Sequence, residues 1–236
     1  MYLCIILGIF NMRRPCFIPY NDIIGVKKII IDFKFYNGFS ITQKQKSIKS
    51  FHDEILKKQS NLNILEISTR SDIDLGKDLS AFNLKTQTIN TEIPFTVETA
   101  FQSSKVFEDG GPYIDLLLKS SKEAKKDERL KNSGKLIGFN FFNKEYPIEP
   151  KTLFYDWLYV NVLVKNENLH KSLLKYNCFT DIEFNPDKSI NCQAHSVALF
   201  LSMKKNNINF EKIKDINYFK RIIYGDTLFD PVINSV

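Results

Sequence analysis

The sequence predicts an α+β fold, a helix-rich single domain with a small β-sheet. Hydrophobic residues make up 43% of its 236 positions, enough to bury a sizeable core. Segments with strand patterns lie in the first third of the chain, and helical patterns dominate the rest. No internal repeat and no Pro/Gly/Ser-rich linker divides the chain, so we predict one domain over residues 12–236.

The first eleven residues, MYLCIILGIFN, are predicted to be a non-native or dispensable extension. They are apolar, but they are too short to span a bilayer and lack the positive flank that opens a secretory signal. Met12 then begins MRRPCFIP, which is typical of a natural start. We therefore expect residues 1–11 to come from an upstream start codon or to be dispensable.

A strand, a helix and a second strand are predicted next. Residues 25–36, GVKKIIIDFKFY, hold a β-branched run followed by alternation, which indicates a strand. Asn37-Gly38 ends this strand with residues typical of turns. Apolar residues recur at helical spacing from Ser40 to Lys58, which predicts an amphipathic helix, and residues 63–69 are predicted to form a strand.

Helices are predicted for most of the remaining chain. The segment TVETAFQSSKVF, residues 96–107, follows Pro94 and has a helical pattern. Further helices are predicted at Ser120–Lys131, Pro150–Val164 and Asn191–Lys204. Proline in a first helical turn, preceded by an acidic residue, is typical of a helix start, so Pro150 is expected to lie inside its helix.

Composition narrows the class of function. The 33 basic and 27 acidic residues give a net charge of +6, which favours an anionic partner such as a nucleotide or nucleic acid. The four cysteines form no Cys-x-x-Cys pair, so we expect a reducing compartment, the cytoplasm. We also expect no metal, no cofactor and no membrane association. The chain has no Walker loop and no G-x-G-x-x-G, H-E-x-x-H or G-x-S-x-G motif, which removes the main support for the enzyme classes that they mark.

The first candidate site lies in residues 96–107. Residues seven apart in a helix lie nearly above one another, so Glu98 and Lys105 would share one face with Gln102. The two charged residues would be separated by roughly 10 Å along the axis and could flank one ligand. A carboxylate at the edge of a core can serve as a general acid or base. From the pattern alone, a solvated helix edge is the stronger alternative.

The second candidate site is the acidic segment FTDIEFNPDKSINCQAH, residues 179–195. Glu183 lies between apolar residues, as in a short strand, and Asn185-Pro186-Asp187 is typical of a turn. Acids in a loop between rigid elements are often functional. The alternative is that Asp187 or Ser189 caps the helix that follows.

Two basic segments are candidates for binding phosphate. Residues 119–135 include Lys125, Lys126 and Arg129, and residues 43–49 include Lys44 and Lys46. Mixed charges on a helix more often form a solvated face, which stays the alternative for both segments.

Three segments, taken in order, resemble the motifs of the NADAR family: LSAFN (79–83), VETAFQSSKVF (97–107) and LLKYNCFTDIEFNPDKSINCQAHSVALFL (173–201). The wider series, including RPCFIP, FEDGGPY and EPKTLFYDWLY, resembles one branch over residues 14–201. That branch contains the NADAR antitoxins paired with DarT-type DNA ADP-ribosyltransferase toxins.

The resemblance implies a NADAR-like fold and N-glycosidase activity, and the branch implies removal of ADP-ribose from guanine bases in DNA. Glu98 corresponds to the family's catalytic glutamate and Lys105 to the lysine of the same motif. Glu183 corresponds to the late glutamate, and Asp187 to the functional aspartate, although the spacing is one residue shorter. Thr99 stands where the family often has histidine.

The resemblance also guides the expected roles. We expect Glu98 to act as acid or base and Asp187 to orient the ribose hydroxyls. Lys105 is the expected Schiff-base nucleophile, with Lys44 and Lys46 as rivals. Tyr146 falls near a family tryptophan and is expected to stack. The residues predicted to bind substrate are Ser80, Phe82, Gln102, Lys125, Arg129, Tyr146, Lys44, Lys46 and Asn191.

The expected partners are ADP-ribosylated DNA or ADP-ribose, and a cognate DarT-type toxin. Two alternatives stay open. Another NADAR branch cleaves the N-glycosidic bond of an early riboflavin-pathway intermediate. A non-enzymatic antitoxin would instead bind and sequester its toxin.

Overall fold

The structure is a computed structural model that describes residues 8–38, 40–87 and 93–225. It has an α+β fold, which confirms the predicted fold class. Most of the predicted N-terminal extension, residues 1–7, lies outside the described residues. The strands are β1 (Ile9–Pro19), β2 (Val26–Tyr36), β3 (Ile64–Glu66), β4 (Lys85–Thr86), β5 (Phe95–Thr96), β6 (Lys105–Phe107), β7 (Leu136–Phe141), β8 (Lys144–Tyr146) and β9 (Cys178–Thr180). The helices are α1 (Ile41–Lys58), α2 (Asp74–Asp78), α3 (Val97–Ser103), α4 (Ser121–Lys126), α5 (Arg129–Asn132), α6 (Leu153–Lys165), α7 (Glu167–Leu173), α8 (Gln193–Lys205) and α9 (Ile216–Tyr224).

The strands form three sheets among the described residues. The largest has the order β2-β1-β9-β3, the second pairs β4 with β5, and the third has the order β6-β7-β8. In the largest sheet, β1 pairs antiparallel with β2 along its whole length, and β9 pairs parallel with β3. The sheet content is therefore more divided than the single small sheet that the sequence predicts.

Strand β1 was not predicted from the sequence, and it contains two prolines, Pro15 and Pro19. Proline removes a ladder donor and is tolerated mainly at sheet edges. On the side of β9, Phe17 opposite Phe179 is the only paired position of β1 among the described residues. Pro15 and Pro19 therefore lie where that side of β1 is an edge, which explains why they are compatible with the strand.

The core is built in two parts on the large sheet. The larger cluster surrounds α6 and α8, which are buried on nearly all sides, and it includes a stack of aromatic rings in which Phe154 lies 4.5 Å from Phe139. The smaller cluster lies between the β1–β2 hairpin and α1, where Phe51 stacks on Phe33 at 4.6 Å. The two clusters hold α3, β3 and β9 in fixed positions around the cavity described below.

The predicted helix over residues 96–107 is wrong in its second half. Helix α3 ends at Ser103, and residues 105–107 form β6, which pairs antiparallel with β7. The hydroxyl groups of Ser103 and Ser104 both donate to the carbonyl of Ala100, at 3.1 and 2.6 Å, and such bonds compete with helix continuation. Glu98 and Lys105 therefore do not share a helix face, contrary to the prediction.

Two other predicted helices have different bounds in the structure. The helix predicted at Ser120–Lys131 is divided into α4 and α5, because Asp127 leaves helical geometry, with ψ of 127°, and its carboxylate caps the N–H of Arg129 at 3.0 Å. Helix α6 begins at Leu153 rather than Pro150. The Pro150 carbonyl accepts the N–H of Leu153 in a turn that precedes the helix.

The remaining predictions of elements are close to the structure, with one exception. Strand β2, helix α1, strand β3 and helix α8 confirm the elements predicted at 25–36, 40–58, 63–69 and 191–204, although β3 is shorter than expected. The strand expected around Glu183 is wrong, because β9 ends at Thr180 and Glu183 lies in a turn. The carboxylate of Asp181 forms this turn by accepting the N–H groups of Glu183 and Phe184, at 3.0 and 3.1 Å.

Candidate active site

A cavity of about 660 Å³ opens between α3, β6, the end of α4, the start of α8 and the loop that follows β9. This volume lies within the range of roughly 300–1,000 Å³ that is common for small-molecule sites. Nine of the predicted site residues line it: Ser80, Phe82, Glu98, Gln102, Lys105, Lys125, Glu183, Asp187 and Asn191. The structure therefore brings together most of the candidate residues, from segments far apart in the chain.

Glu98 lies in the first turn of α3 and is buried, with 5% of its surface exposed. Its backbone N–H donates to the carbonyl of Ala81 at 2.9 Å, which fixes the start of the helix against a neighbouring segment. Oε1 of Glu98 accepts a hydrogen bond from Nε2 of Gln102 at 2.8 Å, and Nζ of Lys125 lies 3.9 Å from the same oxygen. The carboxylate is thus oriented by one amide and compensated by one cation at the cavity wall.

Lys105 reaches the cavity from β6 rather than from the helix. Its Nζ lies over the ring of Phe101, 4.8 Å from the ring centroid. Burial is the main cause that lowers the pKa of Lys105 to about 8; the charge of Lys125 also lowers it, whereas Glu98 opposes the shift. A substantial fraction of this amine is therefore neutral just above neutral pH.

The loop after β9 supplies the acids of the opposite wall. Glu183 pairs with Arg70 at 3.4 Å, between Oε1 and Nε. Asn185-Pro186-Asp187 forms the predicted turn, in which Oδ1 of Asn185 accepts the N–H of Asp187 at 3.1 Å. Asn191 also lines the cavity, and its buried Oδ1 has no hydrogen-bond partner among the described residues.

The alternative in which Asp187 or Ser189 caps α8 is wrong. The N-cap of α8 is Cys192, without a side-chain capping bond. The Ser189 hydroxyl instead donates to the carbonyl of Asn191 at 3.2 Å, inside the loop. Asp187 is therefore left at the cavity wall rather than at the helix end.

Arg129 and Tyr146 do not line the cavity. The guanidinium of Arg129 forms ion pairs with Asp115 at 2.7 Å and with Asp127 at 2.8 Å, so two neighbouring carboxylates compensate its charge. Tyr146 is buried in the core, where its ring lies 4.9 Å from that of Trp157, and burial raises its pKa. Stacking of Tyr146 on a ligand is therefore not supported by its position.

The other three predicted basic residues also lie outside the cavity lining. Lys44 and Lys46 are on α1, where Nζ of Lys44 lies over the ring of Phe35 at 5.1 Å and Lys46 is exposed. Lys126 is exposed at the end of α4. Helix α1 packs against β2 and the smaller core cluster, which explains why its lysines do not reach the site.

Several lining residues were missed in the sequence. Asp181 and Tyr155 are buried at the cavity wall, and Gln193 lies there at the first position of α8. Tyr155 belongs to a helix that is apolar on nearly all sides, so periodicity could not show which residue faces a cavity. Asp181 lies two residues before Glu183, inside the acidic segment 179–195 that was itself a candidate site, but it was given no role of its own.

Asp181 is connected to a second buried carboxyl group, that of Glu66 on β3. Burial is the main cause that raises the pKa of both groups; the charge of Glu66 also raises the pKa of Asp181, and the charge of Glu183 raises the pKa of both. Glu66 accepts hydrogen bonds from the Thr180 hydroxyl at 2.6 Å and from the Ile182 N–H at 2.8 Å. These bonds fasten the start of the acidic loop to the large sheet.

The fold and the cavity define an α+β protein whose cavity is lined by a carboxylate, an amide and a half-buried lysine. Residues 12–230 match the family described as DarT1-associated NADAR antitoxin. The chain belongs to this family. No curated protein matches the sequence. Within the part of the chain that the structure describes, none of the helices combines the length and apolarity that a bilayer crossing requires.

Proposed function

We propose that this protein is an N-glycosidase that removes ADP-ribose from guanine bases in DNA, and so acts as the antitoxin of a DarT-type toxin. The proposal rests on one observation: Glu98 and Lys105 line the same cavity, and burial lowers the pKa of Lys105 to about 8. The family supports the antitoxin role, and the cavity chemistry supports cleavage of a bond between a sugar carbon and a base amine.

Glu98 is proposed to supply the proton that opens the sugar. As the bond between the anomeric carbon and the ring oxygen breaks, the Glu98 carboxylate takes the proton of the base amine and passes it to that oxygen, and an imine forms between the anomeric carbon and the base nitrogen. The hydrogen bond from Gln102 and the contact with Lys125 both reach Oε1 of Glu98. Among the described residues, Oε2 is the oxygen left for this transfer.

Lys105 is proposed to replace the base at the anomeric carbon. Its neutral amine adds to the imine, and collapse of the adduct expels the base amine with a proton, which leaves the sugar joined to Lys105 as a Schiff base. Water then hydrolyses that imine, releases ADP-ribose and regenerates the lysine. The net reaction consumes one water and returns an unmodified guanine.

The loop that follows β9 and the aromatic and basic residues of the cavity lining are proposed to hold the substrate. Asp187 would orient the ribose hydroxyl groups. Phe82 lines the cavity with Nζ of Lys125 5.0 Å from its ring centroid, so an aromatic face and a cation lie together where a base and a phosphate would bind. Lys151 and Lys188 add two further cations to the lining.

The test is release of ADP-ribose from DNA that carries ADP-ribosylated guanine, with the protein far below the substrate concentration. Glu98→Gln is expected to lower the rate at least ~10²-fold if it transfers the proton. Glu54→Gln, a half-buried carboxylate on α1 that pairs with Lys57 and lies outside the cavity lining, is the matched control and should retain the wild-type rate. Absence of turnover by folded wild-type protein, together with protection from the toxin at equal stoichiometry, would replace the enzyme with a toxin-binding antitoxin.

The nucleophile is tested by borohydride trapping of the protein–sugar adduct. Lys105→Ala should abolish the trapped adduct, whereas Lys44→Ala and Lys46→Ala should retain it. An adduct that persists in Lys105→Ala would assign the Schiff base to another lysine. Parallel assay of an early riboflavin-pathway intermediate separates the DNA substrate from the small-molecule alternative.

A further inference from the structure

Gln193 joins three segments of the cavity wall that are distant in the chain. It is the first residue of α8 and lines the cavity. Its Oε1 accepts the backbone N–H of Ala81 at 2.7 Å, and its Nε2 donates to the backbone carbonyl of Ile67 at 2.7 Å. Both the oxygen and the nitrogen of the side-chain amide are therefore hydrogen-bonded to backbone groups.

The bond to Ala81 leads directly to Glu98. The carbonyl of Ala81 accepts the N–H of Glu98 at 2.9 Å. The first N–H groups of a helix have no acceptor inside the helix. At the start of α3 the side chain of the N-cap, Thr96, accepts one of them, and the carbonyl of Ala81 accepts that of Glu98. Ala81 is therefore one support of Glu98, and Gln193 fixes the backbone of Ala81 through its N–H.

The other end of the amide is fixed to the large sheet. Ile67 directly follows β3, and its own N–H donates to the carbonyl of Thr180 at 2.8 Å. This places the carbonyl that receives Nε2 of Gln193 on a rigid element. Gln193 therefore links the large sheet to the backbone segment that supports Glu98.

We infer that Gln193 is a positioning residue for the reaction: it helps to hold Glu98 in place through the backbone of Ala81. The inference rests on the proposed function for its kinetic consequence, but the hydrogen bonds that carry it do not depend on the substrate. Glutamine is suited to this position because one amide supplies an acceptor and a donor on opposite sides. Misplacement of a reacting group by about 1 Å can cost on the order of 10²-fold in rate.

Two variants separate positioning from space filling. Gln193→Met conserves volume and removes both hydrogen bonds, so kcat is expected to fall about 10- to 100-fold with KM changed less than about threefold. Gln193→Glu retains an acceptor for the Ala81 N–H and should lose less kcat than Gln193→Met. A space-filling role predicts the reverse order, because methionine suits a packed site better than an added charge does.

Asn166→Ala is the matched control. The Asn166 amide also joins two backbone carbonyls, those of Lys85 and Val162, at 2.9 and 2.8 Å, and Asn166 does not line the cavity. Removal of the Asn166 amide should lower the unfolding temperature and leave kcat within about twofold of the wild-type value, because neither of its hydrogen bonds reaches a residue that lines the cavity.

Hydrogen exchange of the folded variants gives a readout that needs no substrate. The amide protons of Ala81 and Glu98 should exchange at least ~10-fold faster in Gln193→Met than in wild type, and should be unchanged in Asn166→Ala. Unchanged exchange, or greater kcat for Gln193→Met than for Gln193→Glu, would overturn the inference. If wild-type protein shows no turnover, the proposed function fails, and the exchange result alone then decides the role of Gln193.

Discussion

Glu98 and Lys105 reach the same cavity from two different elements, α3 and β6, and carry opposite charges. Burial favours the neutral form of the lysine, while the nearby carboxylate favours the protonated one. The net shift brings the pKa of Lys105 down to about 8, because burial is the larger effect. A lysine in this range can switch between a cation that binds an anion and an amine that attacks a carbon.

The pH dependence of the reaction should follow Lys105. If its neutral amine attacks, the rate of adduct formation should rise from pH 6 and level off above pH ~8, because protonation below the pKa blocks attack. Single-turnover kinetics with borohydride trapping measure this step directly. A profile that is flat between pH 6.5 and 9, or that falls with rising pH, would contradict the assignment.

Lys125→Met is expected to move that profile to higher pH. The charge of Lys125 helps to lower the pKa of Lys105, so its removal should raise the midpoint of the single-turnover profile. Lys126→Met is the matched control, since the neighbouring lysine is exposed and outside the cavity lining. A midpoint that stays the same, or moves to lower pH, in Lys125→Met would show that the two amines do not interact.

At the level of elements, helix α6 and helix α8 are joined through a polar contact inside the larger core cluster. Oδ1 of the buried Asp156 accepts the Ser196 hydroxyl at 2.6 Å and lies 3.2 Å from Nδ1 of His195. Burial acts to lower the pKa of His195, but the charge and hydrogen bond of Asp156 outweigh it, and the net pKa is raised. The histidine cation is thus stabilised by folding.

Asp156→Asn should therefore lower the pKa of His195, measured by NMR titration of the imidazole. Because the folded pKa is raised, the stability that His195 contributes is fully present below its unfolded pKa of ~6.5 and is lost as pH rises through the folded value. The variant should lose this part of the pH dependence of unfolding. Ser202→Ala, a hydroxyl on the same helix that bonds Ile23, is the control and should leave the His195 titration unchanged.

Elements with a local signal were predictable, and those whose ends depend on neighbours were not. Helix α1 has an apolar stripe and an N-cap, Ser40, whose hydroxyl accepts the N–H of Gln43, and its predicted bounds hold. The end of α3 depends on β7, which offers residues 105–107 a strand partner. A helical period therefore predicted the right type of element for Glu98 and the wrong one for Lys105.

On the scale of the whole molecule, the large sheet separates two core clusters, and the cavity residues described above belong with the larger one. The smaller cluster packs α1 against the β1–β2 hairpin and contributes no cavity-lining residue. The smaller cluster therefore contributes to the stability of the molecule without supplying side chains to the cavity.

Phe51→Ala tests this separation. Phe51 is fully buried in the smaller cluster, so its truncation should lower the free energy of unfolding by about 3–5 kcal/mol in chemical denaturation. The turnover of the protein that stays folded should be unchanged, since the cavity is not altered. Leu56→Ala, a partly exposed position on the same helix, is the control and should cost far less. A turnover that falls in proportion to stability would show that the two parts are coupled.

The sequence by itself determined the fold class, the family motifs and nine of the residues that line the cavity, because these follow from local periodicity and from residue order. Glu98, Lys105 and Asp187 were named correctly as cavity residues even where the predicted element was wrong. Only the tertiary structure decided that Tyr146 and Arg129 belong to the core and to local ion pairs, and that Asp181, Tyr155 and Gln193 face the cleft. Contacts such as that of Gln193 with Ala81 join residues more than a hundred positions apart, and no local pattern of polarity records which distant backbone group a side chain will meet.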